Sequence, residues 1–163
     1  MKLSGGVEWA LHCCVVLTTA AEPVPAARLA ELHDVSGSYL AKQLQALSRA
    51  GLVSSAQGKA GGYALTRDPA QISVLDVVLA VDGPRPAFVC TEIRQRGPLA
   101  AAPEACTRPC AITRAMASAD AAWRAALREI SIADLARDVD ADYGPTALAG
   151  IGAWLAQGAD GQE

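Results

Sequence analysis

The chain has 163 residues, room for one ordinary domain with an extension rather than for two complete domains. With 14 Lys and Arg against 17 Asp and Glu, its formal charge of -3 excludes a protein that coats nucleic acid by charge alone, so any DNA contact has to be local. Hydrophobic residues at 52% and charged residues at 19% exclude a disordered chain, and with three Trp, three Tyr and one Phe it is Leu, Val, Ile and Ala that fill the core.

A first helix is predicted over Val7–Thr19, where Leu11 and Val15 stand at helical spacing. Pro23 and Pro25 end it and pre-set the start of the next. The apolar run holds Glu8 and His12, polar side chains that neither a membrane span nor the core of a signal peptide normally carries. A cytoplasmic, reducing location is therefore expected, in which Cys13, Cys14, Cys90, Cys106 and Cys110 are thiols or metal ligands rather than disulfides.

A second short helix covers Ala26–Leu32, after which His33 to Ser38 supplies turn residues and a capping serine for a third helix. In that helix Leu40, Leu44 and Leu47 form the core face, leaving Ser38, Lys42, Gln45 and Arg49 on the open side. Gly51 ends it, and Leu52-Val53-Ser54 and Tyr63-Ala64-Leu65 read as the strands of a hairpin tipped by Gln57-Gly58-Lys59-Ala60-Gly61-Gly62. The expected fold is mainly α with a small β-hairpin, a winged helix-turn-helix. From Ser36 to Arg67 there are four cations (Lys42, Arg49, Lys59 and Arg67) and no acid, in a chain that is acidic elsewhere, which points to double-stranded DNA as a partner. Ser38, Tyr39 and Lys42 are assigned to the major groove, Arg49 to a phosphate, and Lys59 in the wing to the minor groove or backbone.

Ile72–Val81 is a fourth helix, and Asp82-Gly83-Pro84-Arg85-Pro86 opens an irregular stretch that holds Cys90, Cys106 and Cys110. From Ile112 the residues Ile112, Met116, Ala119, Trp123, Ala126 and Ile130 step by four and three, a heptad seam on a long helix that predicts pairing with a second copy. Ser131–Leu135 reads as a short capped turn, and the Ala-, Gly- and Asp-rich remainder as a partly disordered tail in which Leu148, Ile151 and Trp154 dock as one more helical turn. The division expected is a DNA-binding domain at 1–82, a cysteine loop at 83–110, a dimerisation helix at 111–135 and a tail at 136–163.

Three cysteines spaced C-x15-C-x3-C do not complete a metal site, which generally wants four protein ligands. Glu8 and His12, at i and i+4 on one face of the first helix, could bind together, whereas Cys13 and Cys14 on an apolar helix read as buried thiols. Neither a nucleotide-binding glycine motif nor a Ser-His-Asp or H-E-x-x-H arrangement is present, so an enzyme is not expected.

Ser38-Tyr39-Leu40, Gly51-Leu52-Val53, the wing Gly58-Lys59-Ala60-Gly61-Gly62-Tyr63-Ala64-Leu65 and Ile72-Ser73-Val74-Leu75-Asp76-Val77-Val78 resemble the IscR/NsrR-type family of winged-helix iron-sulfur transcription regulators, over about residues 1 to 135. The resemblance implies a homodimer on an inverted repeat, with a cluster held by the cysteine loop and completed from elsewhere. Family members usually carry three closely spaced cysteines, and this chain departs from that pattern. It is similar instead to redox-sensing members that pair Glu and His on the first helix with two loop cysteines around a 2Fe-2S cluster. The implied ligands are Glu8, His12, Cys90 and Cys110, with Cys106 as a spare thiol or alternative ligand, and the resemblance implies dimers in which the other subunit can donate the first helix. Imidazole in place of thiolate removes negative charge and raises the reduction potential. Trp9, next to a ligand, is the candidate lever between cluster and DNA-binding domain. The expected function is a redox-sensing regulator, a repressor, and the alternative is a zinc-stabilised DNA-binding adaptor without redox activity.

The wing assignment carries a direct test. Lys59→Ala is expected to weaken binding to all DNA sequences and to flatten the salt dependence by about one unit of slope, and a titration against salt that shows an unchanged slope removes Lys59 from the phosphate contacts.

Overall fold

The computed structural model describes residues 3–56 and 61–157. Helix α1 (Gly5–Leu17) lies at the centre, with Ala10, Cys13 and Cys14 wholly buried and Val7, Val15, Val16 and Leu17 nearly so. It packs against α3 (Gly37–Arg49), α4 (Val74–Asp82), α6 (Ile132–Tyr143), α7 (Ala147–Gln157) and strand β2 (Gly62–Leu65). It starts two residues before the predicted Val7, because Ser4 is held there: its backbone N–H and its hydroxyl both donate to the Asp82 carboxylate at the end of α4.

Helices α2 (Ala26–Leu32) and α3 form the helix-turn-helix. The Ser36 hydroxyl caps α3 by accepting from the Tyr39 N–H at 3.2 Å. Leu40, Leu44 and Leu47 are completely buried with Leu29 of α2, each contributing about 1.5–3 kcal/mol by burial, and so hold the open face of α3 outward. Strand β1 (Val53–Ala56) pairs antiparallel with β2 in the register Val53↔Leu65 to Ala56↔Gly62, which confirms the hairpin. A single further rung joins it to the α1–α2 linker, with Val24 and Tyr63 exchanging backbone hydrogen bonds of 2.9 and 2.8 Å. Gly62 allows that rung, since a Cβ there would collide with the Val24 carbonyl.

The largest departure from the sequence reading lies after α5 (Ala111–Arg128). The predicted capped turn Ser131–Leu135 is the start of the twelve-residue helix α6. Ser131 and Asp134 form a capping box whose counterpart, Ser73 and Asp76, starts α4. The two box-bearing segments, Ile72-Ser73-Val74-Leu75-Asp76 and Ile130-Ser131-Ile132-Ala133-Asp134, lie antiparallel, with Val74 N–H donating to Ile130 and Ile132 N–H to Ile72, both at 2.8 Å. Ile132 is fully buried and Leu135, Ala136 and Val139 pack beside it, a stripe that carries the helix past the turn. Likewise the predicted single turn near Trp154 is the eleven-residue helix α7, with Leu148 and Leu155 buried. The Arg28 guanidinium sits 3.6 Å over the Trp154 ring and donates to the Trp154 carbonyl at 2.8 Å, clasping α7 to α2.

Helix α5 matches the predicted long helix but has no buried residue. Its seam divides. Trp123, with Leu127, packs on Val7, Val74 and Val78, so this end of the seam belongs to the chain's own core, whereas Ile112, Met116 and Ile130 are exposed. The segment between α4 and α5 is irregular apart from the 3₁₀ turns Ile93–Gln95 and Pro103–Cys106.

The α4–α6 junction makes a stability prediction. Ser131→Ala removes a cap and is expected to cost about 1 kcal/mol in urea unfolding. Its partner Asp134 is held at about 2, below the ordinary 3.8, by the Ser131 hydroxyl first, then the Ser131 N–H and Arg137. A depressed folded-state pKa gives stability that is complete above pH about 4 and is lost as pH falls toward about 2. Asp134→Asn should therefore flatten the acid limb of the urea midpoint in that window.

Candidate functional site

The open face of α3 is exposed along Ser38, Lys42, Gln45 and Arg49, as the leucine spacing requires. Tyr39 is 40% exposed, but a Cβ on Gly5 would stand 3.6 Å from its hydroxyl oxygen, so the ring reaches from α3 to the first turn of α1. Lys59 lies outside the described residues. Arg67 is engaged locally, donating from Nε to the Gln71 carbonyl at 3.2 Å.

One turn further along the same crossing, Gly6 meets Gln43, a buried polar side chain of α3. A Cβ on Gly6 would come within 2.5 Å of Gln43 Oε1. Gly6 thus lets the backbone of α1 lie directly on α3, and α1 is the helix that carries Glu8, Trp9 and His12.

Glu8 and His12 are exposed on α1, and Trp9 is half-buried between them. Trp9 and His12 both meet His33 edge-on, at ring-centroid distances of 5.8 and 5.7 Å. His33 caps the C-terminus of α2 in the helix-turn-helix turn, and its Nε2 is buried without a hydrogen-bond partner among the described residues. Burial first, and His12 second, push its pKa below the ordinary 6.5. Sequence spacing places His33 only in a turn; its contact with His12 and Trp9 comes from the packing of α1 on α2. Cys13 and Cys14 are buried thiols pushed up to about 12 by burial, and the Cys13 charge adds to this for Cys14, which agrees with their reading as core residues.

Cys90, Cys106 and Cys110 are half-buried free thiols. Cys110 is the N-cap of α5, where its sulfur accepts from the Thr113 N–H at 3.3 Å and lies 3.2 Å from the Thr113 hydroxyl. That hydroxyl, then the N–H, holds the thiol below its ordinary value. Cys90 accepts from the Glu92 N–H at 3.4 Å. The Cys110 sulfur thus meets donors that favour thiolate, the form that binds iron or zinc. Among the described residues no three His, Cys, Asp or Glu side chains converge on one metal position, so Glu8, His12, Cys90 and Cys110 do not meet within a single chain. By chemistry the set fits a cluster or zinc: two sulfurs, an imidazole and a carboxylate, each accessible at least in part.

Comparison with known proteins decides the family. The profile described as Rrf2, iron-dependent transcriptional regulator, matches residues 3–138. The chain belongs to the Rrf2 family. Across 145 residues it is 30% identical to YffB of Lactococcus lactis subsp. lactis (strain IL1403), a protein named for a helix-turn-helix transcriptional regulator, covering 88% of this chain and 92% of that one. It is 44% identical over 68 residues to the HTH-type transcriptional regulator IscR of Escherichia coli O1:K1 / APEC, a match that spans 42% of each chain. In fold it is similar to CymR, the global cysteine regulator of B. subtilis, with a TM-score of 0.65 at 22% identity over 84% of this chain and 97% of that one. It is similar also to T. potens IscR, with a TM-score of 0.59 at 23% identity over 85% and 88%. As an Rrf2 protein it is a DNA-binding transcription regulator, and its relatives are regulators rather than enzymes. No helix among the described residues is long and apolar enough to cross a membrane.

The Gly6–Gln43 contact predicts a coupled pair. Gly6→Ala is expected to lose about 1 kcal/mol in urea unfolding, because the new Cβ has to displace only the far end of the buried Gln43 side chain. Adding Gln43→Ala should return part of that loss, so that the double variant is more stable than the sum of the single effects predicts.

Proposed function

We propose that this Rrf2 regulator is a homodimeric redox sensor, acting as a repressor on an inverted repeat, in which Glu8 and His12 of one subunit and Cys90 and Cys110 of the other hold a 2Fe-2S cluster. The observation that carries the reading is the division of the donors: four ligands of suitable chemistry lie in one chain without meeting, while α5 leaves Ile112 and Met116 exposed for a second copy. A 2Fe-2S group supplies reversible one-electron chemistry when bound, and the His12 imidazole in the donor set favours a potential higher than an all-thiolate site gives.

In this reading α1 passes the charge state of the site to DNA. A change of one unit of charge acts on a group about 10 Å away with about 1.7 kcal/mol at an effective dielectric near 20, enough for about a fifteenfold change in a conformational equilibrium. Trp9 is the lever. It follows ligand Glu8, and its ring is edge-on to His33 at the helix-turn-helix turn. A tilt of α1 is felt at Tyr39 and Gln43 of the recognition helix, so the spacing of the two reading heads, and with it DNA affinity, follows the redox state. Ser38, Tyr39 and Lys42 then read the major groove, with Arg49 on a phosphate and Lys59 in the minor groove or on the backbone.

Protein purified without air should be brown and bleach with dithionite; colourless protein with stoichiometric zinc would favour a redox-silent adaptor instead. Iron counted after single replacements of Glu8, His12, Cys90, Cys106 and Cys110 by Ala should be lost in every variant except that of Cys106. Operator fragments bound equally by oxidised and reduced protein would remove the sensing role.

A further inference from the structure

No described residue from 83 to 110 is buried, so apolar packing does not hold this loop in shape. Arg96, Arg114 and Arg124 each hold a neighbouring or flanking carbonyl, of Thr91, Pro109 and Pro84 respectively, but it is Arg94 that ties the two cysteine segments together. Arg94 grips the Glu92 carboxylate through two parallel hydrogen bonds, Nε to Oε1 at 2.6 Å and Nη2 to Oε2 at 2.8 Å. The same Nη2 donates to the Arg108 carbonyl at 3.0 Å, fourteen residues on and two before Cys110. The Arg94 carbonyl accepts from the Ala101 N–H at 2.7 Å. On the other side Glu92, two residues after Cys90, gives its N–H to the Cys90 sulfur and has a left-handed backbone with φ 52°, a conformation that non-glycine residues adopt only where their surroundings hold them.

We propose that Arg94, paired with Glu92, is the positioning residue of the cysteine loop: it clasps the Cys90 segment to the Cys110 segment and fixes an oriented ion pair beside the two sulfurs. The planar guanidinium is what the arrangement uses, because one group must meet a carboxylate edge-on and a carbonyl at the same time, which an ammonium cannot reproduce. The electrostatic part of the proposal rests on the cluster reading above; the clasp itself does not.

Two neutral variants separate the roles. In Arg94→Gln the Glu92 carboxylate is left unpaired near Cys90, and in Glu92→Gln the Arg94 cation is left unpaired near Cys110. Arg94→Gln removes the clasp, and Glu92→Gln leaves the guanidinium that makes it without the carboxylate that orients it. In the cluster-free full-length protein, amide exchange over residues 101–110 should quicken about tenfold or more in both variants, as expected for the loss of a charged hydrogen bond. The urea midpoint should be unchanged, because the loop contributes nothing to the core. In protein carrying the cluster, the reduction equilibrium should move in opposite directions, against reduction in Arg94→Gln and toward it in Glu92→Gln, by up to about tenfold each, or about 59 mV for one electron. Arg94→Lys keeps the charge without the fork and should lose protection while staying close to the native potential.

Opposite shifts with lost protection support the proposal. Unchanged protection, or potentials that stay put or move together, overturns it. Wild-type protein that never carries iron would sink the cluster reading, and the exchange measurement would then decide the clasp alone.

Discussion

Helix α1 has to satisfy two demands with thirteen residues, and the rest of the molecule follows from how it does so. One side is the centre of the core, where Ala10, Cys13 and Cys14 are sealed from water. The other side presents Glu8 and His12 to solvent. The helix lies directly on α3, where Gly6 carries no side chain to meet the end of Gln43 and Gly5 leaves Tyr39 at ordinary contact distance. Close backbone approach also makes α1 a stiff element: interiors packed this tightly shift between discrete arrangements rather than deforming smoothly. A helix that carries proposed ligands and also touches the recognition helix needs no intermediate part to connect them.

The second organising feature is the repeated Ile-Ser-x-x-Asp start of α4 and α6. Two carboxylates accept from the serines that cap their own helices, and the flanking backbones pair across the gap. This junction fastens the start of α6 to the start of α4, beside the packing of α5 on α4 and of α6 and α7 on α1. Beyond it α7 returns to the helix-turn-helix through Arg28 and Trp154. The cysteine loop stands outside this scheme. It has no core of its own, and among the described residues it spans the interval between α4 and α5 on polar ties.

Much of the helix-turn-helix was legible because its signals are local. The leucines of α3 recur at helical spacing, Ser36 precedes them as a cap, and glycine flanks the hairpin, so each element could be read within a few residues of sequence. The tail was misread for the opposite reason. The Ser131–Asp134 box was visible as a cap, but Leu135, Ala136 and Val139 count as a helix face only when there is a core to receive them, and that core is made by α1 and by Ile72, far away in the chain. The seam of α5 shows the same limit. Its four-three spacing says that one face is apolar without saying against what, and Trp123 settles on Val7, Val74 and Val78 while Ile112 stays in solvent. Arg94 left no signal at all, since a Glu-x-Arg pair in a loop looks like any solvated charge pair.

By itself the sequence determined the helical periods, the caps and breakers, the acid-free stretch from Ser36 to Arg67 and the chemical character of each candidate ligand, because all of these are properties of neighbours along the chain. Tertiary structure alone decided that α1 rests on the recognition helix, that His33 meets Trp9 and His12, that Arg94 joins the two cysteine segments, and that the four proposed ligands do not meet in one subunit. Those are contacts between residues distant in sequence, fixed by how close two backbones can come and by which surfaces exclude water, and no local pattern encodes either quantity.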